Sequence, residues 1–97
     1  MAGKARIIAA ITVDGKTCGP DVIRKAVEIM EGEFTNMQIA GVIGRAGFEP
    51  NDFWLGQEVT NRLMQRVRRA GLAVCPNRRT WKAVEGGVLA GIERQGA

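Results

Sequence analysis

Arginine and lysine side chains are concentrated in one short stretch of the chain. Half of the 14 lysines and arginines lie between Arg62 and Lys82, and no aspartate or glutamate interrupts that stretch. Most of them are arginines, whose planar guanidinium group matches phosphates and guanine edges better than the ammonium group of lysine does. This chemistry favours a nucleic acid as the partner. The residues are Arg62, Arg66, Arg68, Arg69, Arg78, Arg79 and Lys82.

The rest of the chain carries the opposite balance of charge. Between Asp14 and Glu58 acidic residues outnumber basic ones two to one, although the whole chain has a net charge of +4. A one-sided basic block is either a solvated surface or the contact surface for a polyanion. We favour the polyanion because the block continues from a predicted helix into a predicted hairpin.

Enzymatic and metal chemistry find little support in the residue types. The chain has no histidine, which is the commonest general base and the commonest metal ligand. Cys18 and Cys75 belong to no CxxC pattern, and we expect both to be buried or half-buried free thiols. Gly15-Lys16-Thr17 resembles the end of a phosphate-binding loop, but the leading glycine is missing because position 10 is Ala10. We therefore expect no enzyme activity, cofactor or metal.

Length and composition indicate one soluble domain. The chain has 97 residues, of which 45% are hydrophobic and 25% are charged, as in an average globular protein. The longest nearly apolar run, Ile7 to Val13, is far shorter than the roughly 20 residues that cross a bilayer. We expect a cytoplasmic protein.

The first half of the chain predicts a hairpin and two helices. Asp14-Gly15 between apolar pieces is typical of a hairpin turn, although the alanines equally allow a short helix over residues 5–12. A helix follows from Pro20 until Gly32. A second helix should begin at Asn36 and stop near Gly47, because Thr35 and Gln38 form a capping box, with Phe34 and Ile39 placed as a hydrophobic staple.

The second half predicts a long amphipathic helix and a second hairpin. The helix should start at about Asp52 or Gly56, end at Ala70, and bury Leu55, Val59, Leu63 and Val67 along one stripe. Gly71 ends it, and residues 72–84 form a short hairpin whose tip carries Arg78 and Arg79. We place Trp54 in the loop before the helix and Trp81 against the core.

At this point the chain resembles the winged-helix family of DNA-binding domains over roughly residues 21–84. The resemblance is clearest in Thr35-Asn36-Met37-Gln38-Ile39-Ala40, which is similar to the start of the family's second helix, and in Val59 to Val74, which is similar to its recognition helix leading into the wing. One difference is the longer connection, so residues 47–55 should form an extended loop.

The resemblance implies an α+β fold: a three-helix core with a C-terminal β-hairpin wing, and a possible short N-terminal strand or hairpin. Residues 1–84 would be one winged-helix domain with an N-terminal extension over 1–19, and residues 85–97 a short helix or flexible tail. The recognition helix, about 56–70, would enter the major groove, while the wing, 72–84, would lie on the backbone or minor groove.

The side chains divide by chemistry into two sets. Amides and one arginine would contact base edges: Gln57, Asn61, Arg62 and Gln65. The other basic residues would contact phosphates: Arg66, Arg68, Arg69, Arg78, Arg79 and Lys82.

These expectations describe a small regulatory protein that binds double-stranded DNA in transcription or replication, from a phage or mobile element, and as a possible homodimer. The alternative is a protein-interaction module, such as a phage-type inhibitor or adaptor, whose basic face binds an acidic partner protein. Binding of RNA or single-stranded DNA is less favoured, because aromatic residues make up only 5% of the chain.

Overall fold

The computed structural model describes residues 6–47, 53–76 and 80–96, and these form a small α+β fold. Within these ranges there are four helices and two antiparallel sheets. The elements, in chain order after a 3-10 turn at Arg6–Ile8, are β1 Ile11–Val13, β2 Lys16–Cys18, α1 Pro20–Glu28, β3 Glu31–Thr35, α2 Asn36–Gly47, α3 Phe53–Arg69, β4 Ala73–Val74, β5 Thr80–Gly87 and α4 Val88–Gly96.

The N-terminal segment is a hairpin that packs into the core. Strands β1 and β2 pair antiparallel, with Ile11 opposite Cys18. Asp14 and Gly15 both have positive φ, 52° and 77°, as a two-residue type I′ turn requires. The prediction of a hairpin is confirmed. The alternative of a short helix over residues 5–12 is wrong, because the only helical residues described there are those of the 3-10 turn, Arg6–Ile8. Ile11, Val13 and Cys18 are buried in the same cluster as the helices.

Helix α2 begins where its capping box predicts. The Thr35 backbone N–H donates to Gln38 Oε1 at 2.9 Å, and the Gln38 backbone N–H donates to Thr35 Oγ1 at 3.2 Å. Phe34 and Ile39 are both buried, consistent with a hydrophobic staple. The local sequence therefore fixes the start of this helix.

Helix α3 buries the predicted stripe of Leu55, Val59, Leu63 and Val67. It begins at Phe53, so the placement of Trp54 in the preceding loop is wrong: Trp54 lies in the first turn of the helix. At the other end, Gly71 adopts φ 76°, and the Leu72 N–H donates to the Val67 carbonyl at 3.1 Å. These features define a Schellman motif, which confirms the predicted stop.

The second sheet has a strand that the pattern of residues did not predict. Its order is β3-β5-β4, so β3, which lies between α1 and α2, pairs with the second strand of the C-terminal hairpin. Phe34 lies opposite Trp81 in this pairing, and Trp81 is half-buried against the core as expected. Strand β5 extends past the predicted end at Val84 to Gly87 and leads directly into α4.

The two cysteines lie in different environments. Cys18 is buried, and burial raises the pKa of its thiol. Cys75 is exposed, so the expectation that both thiols would be at least half-buried is wrong for this one. Its thiol donates to the Thr80 carbonyl at 3.3 Å across the hairpin, next to the pairing of Val74 with Lys82.

Candidate nucleic-acid interface

Helix α3 presents a polar face to solvent on the side opposite its buried stripe. Because an α-helix has 3.6 residues per turn, residues three and four apart share a face. Four successive turns therefore expose amide and then guanidinium groups along one strip. The exposed residues of this strip are Gln57, Asn61, Gln65, Arg68 and Arg69.

One border of the strip is the first turn of α2. Between the two helices lies a surface pocket of about 240 Å³. The described residues that line it are Asn36, Met37 and Ala40 of α2, and Gln57, Thr60 and Asn61 of α3. We call this the α2–α3 pocket. The predicted base-contacting residues Gln57 and Asn61 therefore lie beside each other in a shared concave site.

The other border of the strip is the N-terminal segment, which two arginines hold in place. Arg66 donates from Nη1 to the carbonyls of Ala9 at 2.8 Å and Ile7 at 3.5 Å, and from Nη2 to that of Ala10 at 3.4 Å. Arg62 Nη1 donates to the Thr12 carbonyl at 3.1 Å. Burial lowers the pKa of the Arg66 guanidinium from its usual value. Both side chains thus have an intramolecular role in addition to the DNA contact predicted for them.

The two arginines at the C-terminal end of α3 are more exposed than Arg66. Arg68 and Arg69 are exposed and, with Gln65, line an open depression on the surface. Within the described part of the chain, the ion pairs join Arg24 to Glu28 and Glu93, on α1 and α4. No described carboxylate therefore neutralises Arg68 or Arg69.

The strip also carries one acid. Glu58 is half-buried on α3, one turn before Arg62 in the sequence. A carboxylate at this position repels phosphate groups that approach the helix, and the repulsion weakens as salt increases. It is the last acidic residue before the basic block.

The hairpin residues are only partly described. Lys82 is exposed on the middle strand β5, where its neighbours across the sheet are Glu33 on β3 and Val74 on β4. Arg78 and Arg79, predicted at the hairpin tip, lie outside the described residues. The assignment of these three residues to phosphate contacts stays a prediction.

Two residues next to the predicted site were missed in the sequence. Asn36 and Met37 occupy the first turn of α2, and Met37 is 69% exposed. Trp81 Nε1 donates to Asn36 Oδ1 at 2.8 Å, so the amide is held by the sheet. The capping box at Thr35 was the available signal, because it places the next two residues at the tip of a helix.

Other classes of site find no geometric support in the described ranges. No group of three or more His, Cys, Asp or Glu side chains there could hold a metal ion. No helix among them combines the length and apolar character needed to cross a membrane. In comparisons with known proteins, no family model, no curated protein and no solved structure matches the chain significantly.

Proposed function

We propose that this chain is a winged-helix protein that binds double-stranded DNA, with α3 as its recognition helix and the β4–β5 hairpin as its wing. The observation that carries the proposal is the exposed strip of α3. Its amide and guanidinium groups have no role in the core, and no described acid pairs with Arg68 or Arg69. Such a strip suits a partner that offers base edges beside phosphates.

The arrangement of the elements supports the same proposal. A helix, a capped second helix, a long polar-faced helix and a hairpin follow one another in the order of the winged-helix family. Strand β3 pairs with β5, so the hairpin is fixed to the sheet beside the helices. A hairpin held in this way can contact the backbone while α3 lies in the groove.

Contacts within the strip divide by chemistry. Gln57, Asn61 and Gln65 have the donors and acceptors that match base edges. Arg68 and Arg69, together with Lys82 and the predicted Arg78 and Arg79, supply cations for phosphates. Arg62 and Arg66 each have five N–H donors and spend some of them on carbonyls of the N-terminal segment, so in this proposal they contribute less to DNA binding than to the fold.

The first prediction is a salt-dependent affinity for duplex DNA that depends on Arg68 and Arg69. If about five phosphates are neutralised, log affinity should fall with log salt at a slope of roughly −4 to −5. The double substitution Arg68→Ala and Arg69→Ala should reduce the magnitude of the slope by about 2 and strongly weaken the low-salt complex on random duplex. Fluorescence anisotropy and electrophoretic mobility shift measure both effects.

A matched control removes the same charge elsewhere. Arg24 and Lys25 are exposed on α1, which packs against α2, α4 and the N-terminal turn. The double substitution Arg24→Ala and Lys25→Ala should leave the salt slope close to that of the unchanged chain. Equal losses of DNA affinity in both double variants would show that only the net charge of the protein matters. No duplex binding at any salt concentration would end the proposal.

A second candidate is the protein-interaction module, and one observation favours it. Val74 and Val84 are 50% and 53% exposed on the hairpin, on the side of the sheet that carries Lys82. Exposed apolar side chains beside a cation suit an acidic protein partner with an apolar centre. Recovery of one stoichiometric protein from nuclease-treated lysate, lost on Val74→Ser and Val84→Ser, would favour this candidate if DNA binding fails.

A further inference from the structure

The α2–α3 pocket offers only part of its lining to a ligand. Ala40 and Thr60 are 1% exposed and form its floor. The Thr60 hydroxyl donates to the Gly56 carbonyl at 2.6 Å, so its proton is already used within the helix. The groups that face an incoming molecule are therefore those of the rim: Asn36, Met37, Gln57 and Asn61.

The rim combines amides with one large apolar side chain. The side chains of Gln57 and Asn61 are exposed and make no hydrogen bond to another described residue. Asn36 is different, because its Oδ1 accepts from the Trp81 indole and its NH2 group is left to donate. Among the described lining residues there is no arginine, lysine or carboxylate. The pocket thus offers paired donors and acceptors without charge, next to the 69% exposed Met37.

This chemistry distinguishes between base pairs. An amide side chain has one donor edge and one acceptor edge, which match N7 and N6–H2 of adenine, whereas guanine presents two acceptors and is matched by arginine. Thymine adds a C5-methyl group that needs an apolar contact. An amide rim with a methionine therefore fits an A·T pair on both of its bases.

We propose that the α2–α3 pocket reads A·T base pairs in the major groove, with Gln57 and Asn61 pairing with adenine and Met37 packing against the thymine methyl. This inference rests on the proposed function. Gln57 and Asn61 are one turn apart, about 6 Å along the helix, which corresponds to roughly two base-pair steps of 3.4 Å. The site should therefore contain two A·T pairs within about three consecutive positions.

The experiment starts from selection of binding sites in a randomised duplex library, followed by affinity measurements on the enriched site. Two A·T pairs should be enriched at adjacent or next-adjacent positions. Replacing either A·T pair by G·C should weaken binding by roughly 5- to 150-fold. Replacing the adenine by 7-deazaadenine removes the N7 acceptor and should cause a large part of that loss of affinity. The same replacement at a pair outside the enriched positions should change the affinity little.

The protein side of the experiment assigns each base to a residue. Replacing thymine by uracil removes only the methyl group and should weaken the unchanged protein a few-fold, but should have no effect on Met37→Ala. Ile29→Ala removes an exposed apolar side chain on α1's C-terminal cap and should keep the sensitivity to uracil. Asn61→Ala and Gln57→Ala should each lose the sensitivity to 7-deazaadenine at one position.

The outcomes separate the inference from the function on which it rests. Salt-dependent duplex binding without A·T enrichment would overturn the inference and leave the DNA-binding proposal intact. Sensitivity to uracil that persists in Met37→Ala would overturn the role of Met37. Absence of duplex binding would overturn both.

Discussion

At the residue scale, Arg66 shows how a charged side chain can belong to the fold. It lies on the flank of α3 and donates to three carbonyls in and just after the 3-10 turn, including that of Ala9 at 2.8 Å. Hydrogen bonds from a charged donor contribute more than neutral ones, and of the three bonds the one to the Ile7 carbonyl is partly buried and so less accessible to replacement by water. Arg66 therefore anchors the N-terminal segment to the helix that we propose reads DNA.

Substitution of Arg66 should affect the stability of the fold more than it affects DNA binding. Arg66→Ala should lower the free energy of unfolding by about 2 kcal/mol, because it removes several charge-assisted hydrogen bonds. Arg68→Ala, on the exposed strip, should change it by no more than about 0.5 kcal/mol. Urea denaturation followed by circular dichroism measures both. A smaller effect for Arg66 than for Arg68 would contradict the structural role.

The sequence predicts which polar side chains of α3 are exposed better than it predicts their hydrogen-bond partners. Gln57 and Asn61 were expected on an exposed helix face, and they lie there beside each other. Arg62 and Arg66 were assigned to DNA because nothing local distinguishes them from Arg68. Their carbonyl partners lie 50 or more positions earlier in the chain, and helical periodicity carries no information about such contacts.

At the element scale, helices α2 and α3 approach each other closely at a glycine. A Cβ atom on Gly56 would lie 2.9 Å from the Ala40 carbonyl oxygen and 3.2 Å from the Gly44 backbone. Backbone atoms cannot move aside as a flexible side chain can, so any larger residue would push the helices apart. This contact lies next to the α2–α3 pocket, whose floor includes Ala40 and Thr60.

Gly56→Ala should therefore destabilise the protein despite the better helix propensity of alanine. Overpacking costs about 1–3 kcal/mol, against a gain of at most ~1 kcal/mol in propensity. The matched control is Gly41→Ala on α2, where a Cβ would meet only the Arg45 guanidinium at 3.8 Å. That change should stabilise by about 0.5–1 kcal/mol. Thermal unfolding of both variants tests the contrast, and stabilisation by both would show that the helices can separate freely.

Elements with strong local signals were predicted, and the one without such a signal was missed. The capping box at Thr35 and the Schellman glycine Gly71 correctly place the start of α2 and the end of α3. Strand β3 has the sequence EGEFT, with a glycine and two glutamates that strands disfavour. It is a strand because β5 pairs with it, and such long-range pairing outweighs local propensity.

At the scale of the whole molecule, the buried residues form one core. It includes Ile7 and Ile11 from the N-terminal segment, Ile23 from α1, Val67 from α3 and Val88 from α4. The N-terminal segment, which the sequence suggested as an extension, thus contributes buried side chains to the same cluster as the helices. We expect the chain to unfold in a single cooperative transition.

Truncation of a core residue in the N-terminal segment tests this cooperativity. Ile7 is 1% exposed, and Ile7→Ala should cost about 2–5 kcal/mol. The loss should be the same whether unfolding is followed by far-UV circular dichroism or by tryptophan fluorescence. Ile29→Ala, at a site 41% exposed, should cost much less. Two separate transitions in the Ile7 variant would show that the N-terminal hairpin unfolds independently.

The bond from the Trp81 indole to Asn36 links the middle strand of the sheet to the first turn of α2. The two positions are 45 apart in the chain, yet each limits what the other can be. Phenylalanine at 81 would remove the donor to the amide oxygen, and an aliphatic side chain at 36 would remove the acceptor of the indole N–H, which belongs to a half-buried ring. Among diverged descendants of this chain, the pair should therefore change together, and its joint replacement should mark lineages in which the adjoining pocket has lost the A·T preference that we propose for it.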